Sequence, residues 1–171
     1  MKNWGFILIA SILFSSCWSN PIPDNELDTV ALKDLLLEQN KLHYEKEIAI
    51  LDSLSTAWNW NPDTLSGGIL LERIPSTNTA TNSLNHNAEG DTVVLKIDVK
   101  LANGNRCFSD DSLHLIVDHF DGAQMFGVIA KNISSGDSCR ALVPSSIAYG
   151  VRGLPGYVPP GAMLLVDVRQ H

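Results

Sequence analysis

AYGVRGLPGYVPPGAMLLVDV, Ala148 to Val168, is the stretch on which the fold is read. Glycines fall at Gly150, Gly153, Gly156 and Gly161, and prolines at Pro155, Pro159 and Pro160. Glycine opens backbone conformations that other residues avoid, and proline fixes φ, so such a mixture reads as an ordered, turn-rich loop. Directly after it, Met163 to Val168 reads as a strand.

Working outward, Val93, Leu95, Ile97, Val99 and Leu101 alternate with mostly polar neighbours. That period of two marks a half-buried strand. Ala102 to Asn105 (ANGN) is a turn, and Leu113 to Val117 reads as a second strand. Gly122 to Ile133 suits a short helix with Met125, Phe126, Ile129 and Ile133 on one face. Ser134 to Asp137 closes it, with Gly136 in the left-handed conformation. Arg140 to Val143 is another strand. Several strands around one helix give an α+β domain on an antiparallel sheet.

In order and spacing, Ala148-Tyr149-Gly150, Gly153, Val158-Pro159-Pro160-Gly161-Ala162 and Asp167-Val168 resemble the C-terminal signature of FKBP-type peptidyl-prolyl isomerases. Upstream, Gly90 to Val93 matches the start of that family's core strand, and Leu101 with Asn103-Gly104 its first turn. Gly127 to Gly136 matches loosely the helix and the turn after it. The likeness covers roughly residues 90 to 168. It implies an FKBP-like antiparallel twisted sheet wrapped on one short helix, spanning residues 63–171 here. Leu65 to Arg73 would add a strand before the core.

The resemblance also implies roles. The Tyr149 hydroxyl would donate to a substrate carbonyl, and the Ala123 N–H would hold another. Phe126 would floor the proline site in place of the family's usual tryptophan, Val158 would form part of the wall, and Leu154 would overhang it. Ile97, Leu113 and Val166 stand where the family carries pocket aromatics. Its phenylalanine-aspartate pair maps to Cys107-Phe108 or, with one insertion, to Phe108-Ser109, with Asp110 or Asp111 as substitutes for the acid. Proline-containing polypeptides are the implied partners.

The chemistry suits a site without a nucleophile, metal or cofactor. Rotation about a peptide bond faces a barrier of about 18–20 kcal/mol set by its partial double-bond character. Stripping water from the amide carbonyl and holding the bond twisted lowers it. Three readings stay open at this point: an isomerase, a non-catalytic FKBP-like binding or chaperone module, and a structural subunit of an envelope complex.

The N-terminal part carries different signals. Met1 to Trp4 is short and cationic, Gly5 to Phe14 is apolar, and Ser15-Ser16-Cys17 resembles a bacterial lipobox. Residues 1–16 are therefore expected to be a lipoprotein signal peptide and Cys17 to be lipidated. An ordinary signal peptide containing a cysteine is the alternative. Residues 17–62 would be a tether and a helical spacer. The apolar residues Leu27, Val30, Leu37, Tyr44, Ile48, Leu51, Leu54 and Trp58 recur at helical spacing between Glu26 and Trp58, for a spacer packed on its own domain or for a dimerising helix. Monomer and homodimer both stay open. Localisation follows as the bacterial cell envelope, lipid-anchored, with the outer membrane slightly favoured because Trp18-Ser19 offers no aspartate retention signal. The domain would stand in the periplasm or at the surface.

Across its 171 residues the chain is 44% hydrophobic and carries a net charge of -7, a sign that repels phosphate backbones and excludes nucleic acid as a partner. With Cys17 lipidated, Cys107 and Cys139 remain, either as a disulfide or as two free buried thiols. His43, His86, His114, His119 and His171 show no ligand spacing, so no metal site is expected.

Overall fold

The computed structural model describes residues 29–74, 87–119 and 122–171. The expected signal peptide, Cys17, the expected tether and the Ser/Thr/Asn-rich residues 75–86 lie outside the described residues. The chain divides into two units, Met1–Glu38 and Gln39–His171.

Helix α1 runs from Thr29 to Ala57. It contains no glycine or proline to interrupt it. Asn59 stops it in the left-handed conformation (φ 55°), with Trp60 N–H donating back to the Ser55 carbonyl at 2.9 Å. Within the first unit, the described residues Val30, Leu32, Leu35, Leu36 and Leu37 are exposed. Within the second, Leu51 is buried against Leu70 and Leu142, flanked by Leu54, Trp60, Met163 and Leu165.

Six strands follow: β1 (Asp63–Thr64), β2 (Leu70–Ile74), β3 (Thr92–Leu101), β4 (Arg106–Ile116), β5 (Ser138–Val143) and β6 (Leu164–Gln170). They form one sheet in the order β1-β2-β5-β6-β3-β4, every pairing antiparallel. Helix α2 (Gln124–Lys131) packs on the inner face. Alternation along the strands divides the faces: Val93, Leu95, Ile97 and Val99 of β3 and Leu164, Val166 and Val168 of β6 join Met125, Phe126 and Ile129 of α2 in one core. Leu70, Leu142 and Leu165 point to the opposite face, toward α1.

Two expectations are refined. The strand read as Leu113–Val117 begins seven residues earlier, at Arg106. Its early part, Ser109 to Ser112, is polar and exposed, so no alternation betrayed it. Its pairing with β3 shifts register between Leu95 and Ile97 and again between Val99 and Lys100. The glycine-led strand expected from Leu65 begins at Leu70, because Ser66–Gly68 form a 3-10 turn with Gly67 and Gly68 at φ 73° and 76°.

The two cysteines are free, which corrects the disulfide reading. Cys107 lies on β4 and Cys139 on β5, with β3 and β6 between them. Three inter-strand steps amount to about 14 Å. A disulfide needs Cα atoms within roughly 7 Å. Burial pushes the Cys139 thiol up to about 12, so it remains an inert core group.

Candidate functional site

The loop between β5 and β6 is built on hydrogen bonds to itself. Ile147 and Ala148 N–H donate to the Pro144 carbonyl at 3.3 and 3.2 Å, and Gly150 N–H donates to the Ser145 carbonyl at 2.7 Å. Further on, Leu154 and Val158 exchange two bonds of 2.9 and 2.8 Å around Pro155-Gly156, whose φ of 81° at the glycine fits a type II turn. Gly161 N–H then returns to the Gly150 carbonyl at 2.9 Å, closing the loop on its own start. Gly153 is where this closure is tightest. It sits at φ 65°, and a Cβ there would lie 2.4 Å from the Val158 carbonyl oxygen and 2.8 Å from Pro159 and Pro160 backbone atoms.

All nine residues that the resemblance points to belong to one apolar cluster. Ile97, Phe126, Val158 and Val166 are buried in it, and Ala123, Phe108, Leu113, Tyr149 and Leu154 are partly buried against it. Ala123 and Tyr149 also meet at a cavity of about 540 Å³, lined further by Gly122, Ser146, Arg152 and Gly153. The other seven belong to the same cluster and do not line that cavity.

Phe108 lies on β4 beside a register shift. It pairs with Val99, and the irregularity beside it lets Cys107 and Phe108 both pack on the core. Its ring meets Tyr149 edge-on at 6.3 Å and Tyr157 at 6.0 Å, so one side chain braces both tyrosines. No acid joins them. Asp110 pairs with Ile97 but is exposed, and its carboxylate accepts the Ser112 N–H at 2.9 Å. Asp111 is turned to Lys96 at 2.7 Å.

The two donors are both available. Among the described residues, neither the Tyr149 hydroxyl nor the Ala123 N–H makes a hydrogen bond, while the Ala123 carbonyl accepts from Phe126. Burial, and secondarily the neighbouring Cys107, raises the Tyr149 phenol above its ordinary range, keeping the proton on the oxygen. Two apolar residues of the same loop are exposed: Val151 is 91% and Tyr157 60% exposed. Neither was singled out from sequence. The glycine on one side of each was the available signal, because loop tips present what they carry.

No family model matches the chain. Similar proteins do exist. FK506-binding protein 1 of Candida glabrata is 29% identical over 116 residues, covering 62% of this chain and 93% of the relative. Its counterpart in Kluyveromyces lactis is 27% identical over 116 residues with the same coverage. Among solved structures, a peptidyl-prolyl cis-trans isomerase from Pseudomonas syringae superposes with a TM-score of 0.56 at 18% identity, covering 74% of this chain and 92% of that one. Sheet, helix and closed loop give the chain an FKBP-like fold, in keeping with these likenesses. The chain carries Phe126 on α2 and places the helix α1 before the sheet.

Proposed function

We propose that the chain is a peptidyl-prolyl cis-trans isomerase acting on Xaa-Pro bonds of exported or envelope polypeptides. The observation that carries this is the pair of unengaged donors, the Tyr149 hydroxyl and the Ala123 N–H, at one cavity beside an apolar cluster. A peptide entering between them exchanges water for two fixed donors. One donor holds each of two carbonyls, and the proline ring rests against side chains that cannot solvate the amide. Loss of that solvation disfavours the charge-separated planar amide relative to the twisted one, which is the transition state for rotation. Val151 and Tyr157 extend the contact to residues flanking the proline.

The export context is read from Gly5 to Phe14 and Ser15-Ser16-Cys17, with Cys17 lipidated and the domain held at the bacterial envelope. A diacyl anchor suffices for stable attachment, since each buried methylene contributes roughly 0.8 kcal/mol. Mass spectrometry of the mature N-terminus tests it, and an unmodified Cys17 overturns it.

One observation favours a second reading, a non-catalytic FKBP-like binding module. Ile97 and Val166, in place of aromatics, are buried at 2% and 0% exposure and offer no ring edge to a substrate. Isomerisation of a panel of Xaa-Pro peptides by the full chain separates the two. A rate above the uncatalysed one is expected, and a rate indistinguishable from it across the panel overturns the enzyme reading.

A further inference from the structure

Glu47 lies on α1, outside the segment that resembles the isomerases, and is 4% exposed. Its Oε2 accepts the Ser145 N–H at 3.0 Å, and its Oε1 lies 3.4 Å from His43 Nε2. Ser145 is buried too, and its carbonyl accepts the Gly150 N–H at 2.7 Å. Tyr149 therefore sits in a turn closed on the Ser145 carbonyl, and the N–H of the same residue is held by Glu47. A buried carboxylate and a buried N–H are each costly without a partner, and here each supplies the other's. Close packing fixes α1 to the same region: at Gly68, a Cβ would come within 2.5 Å of Tyr44 Oη and Ile48 Cδ1. The bond thus runs from a well-seated helix to the turn that aims the phenol.

We propose that Glu47 is a positioning residue: by holding the Ser145 N–H it fixes the start of the Ser145–Gly150 turn and so the direction of the Tyr149 hydroxyl. The kinetic consequence rests on the isomerase reading above, and the structural one does not. In the full chain, Glu47→Ala is expected to lower kcat/KM about tenfold. Glu47→Gln, whose amide oxygen still accepts, should stay within about twofold of wild type. Leu51→Ala is the control. It opens a cavity on the same helix against Leu70 and Leu142, away from the turn, and should lower stability while the folded protein keeps its kcat/KM. Amide hydrogen exchange at Ser145 and Gly150 should quicken in Glu47→Ala and not in Leu51→Ala under conditions where both are folded. If Glu47→Ala does not fold, Glu47→Asp replaces it, keeping the charge but withdrawing the acceptor by one methylene, with the same outcomes expected. A wild-type rate equal to the uncatalysed one sinks the isomerase reading and leaves exchange to judge the brace. Unchanged exchange at both amides in the Glu47 variant, or equal loss of kcat/KM in the Glu47 and Leu51 variants, overturns the positioning role.

Discussion

The loop from Ala148 to Ala162 and the sheet wall reach order by different means. The loop buries Ala148 and Val158 and part of Tyr149 and Leu154, and leaves Val151, Pro155 and Tyr157 exposed. It is held by backbone bonds, by glycines at positive φ, and by a bond from Gly161 to Gly150 that makes it a closed unit. The wall is held by the β3–β6 ladder and by packing, with Ile97, Val99, Val166 and Phe126 buried. A loop fixed by backbone geometry tolerates few substitutions. A wall fixed by volume tolerates exchange of one apolar shape for another, as long as neighbours compensate. Tyr149-Gly150 and Pro159-Pro160 of the loop, and the aliphatic Ile97, Leu113 and Val166 of the sheet, stand on the two sides of that difference.

The sharpest way to break the comparison is Gly153→Ala. Its Cβ collides with backbone at 2.4 Å, and the residue must hold a positive φ, so a loss of about 3 kcal/mol or more is expected in denaturant unfolding. A loss under about 0.5 kcal/mol would mean the loop is plastic. Next comes the wall. Ile97→Tyr, which puts an aromatic into the wall, should cost about 1–3 kcal/mol by overpacking a position only 2% exposed. A gain in stability would show an unfilled space there. Tyr149→Phe should lower kcat/KM roughly tenfold while stability stays within about 0.5 kcal/mol, because the hydroxyl makes no bond within the described protein. Unchanged kcat/KM would displace the proposed site.

The smallest effect lies on the sheet's other face. Glu72 is held below its ordinary 4.5: burial pushes it up, but the Asn61 N–H and the Arg140 guanidinium outweigh that. Arg140 bonds its carboxylate at 2.6 Å and lies 4.2 Å from the Trp60 ring centre. A lowered carboxyl pKa contributes stability that is present above the unfolded value and lost as pH falls through the folded one. Glu72→Gln should therefore cost about 1 kcal/mol at neutral pH, and that cost should shrink as the pH drops below 4.5. A difference independent of pH would point to packing in place of charge.

Legibility in the sequence followed the same division. Gly153 and Pro155-Gly156 announce their geometry through residue type, and β3 announces itself through strict alternation, so loop and central sheet were readable. Strand β4 was half hidden because Ser109 to Ser112 are exposed at an edge, where burial imposes no period. Phe108 was identified, but not its register, since a two-against-one pairing leaves no trace in composition. Glu47 was invisible for a different reason. Its neighbours Glu45 and Lys46 are exposed, and a charged residue on a helix reads as solvated. Its spacing from Tyr44 and Leu51, three before and four after, was the signal that placed it on the buried face.

That edge strand has a consequence of its own. A protein that handles extended polypeptides risks adding one of them to its sheet, because an open edge offers unpaired N–H and C=O groups to any passing strand. Here β1, at one margin, is only two residues long. At the other, β4 is bent by two breaks in register and carries Asp110 and Asp111 at the bend. Both margins of the sheet are thereby poor templates for an added strand.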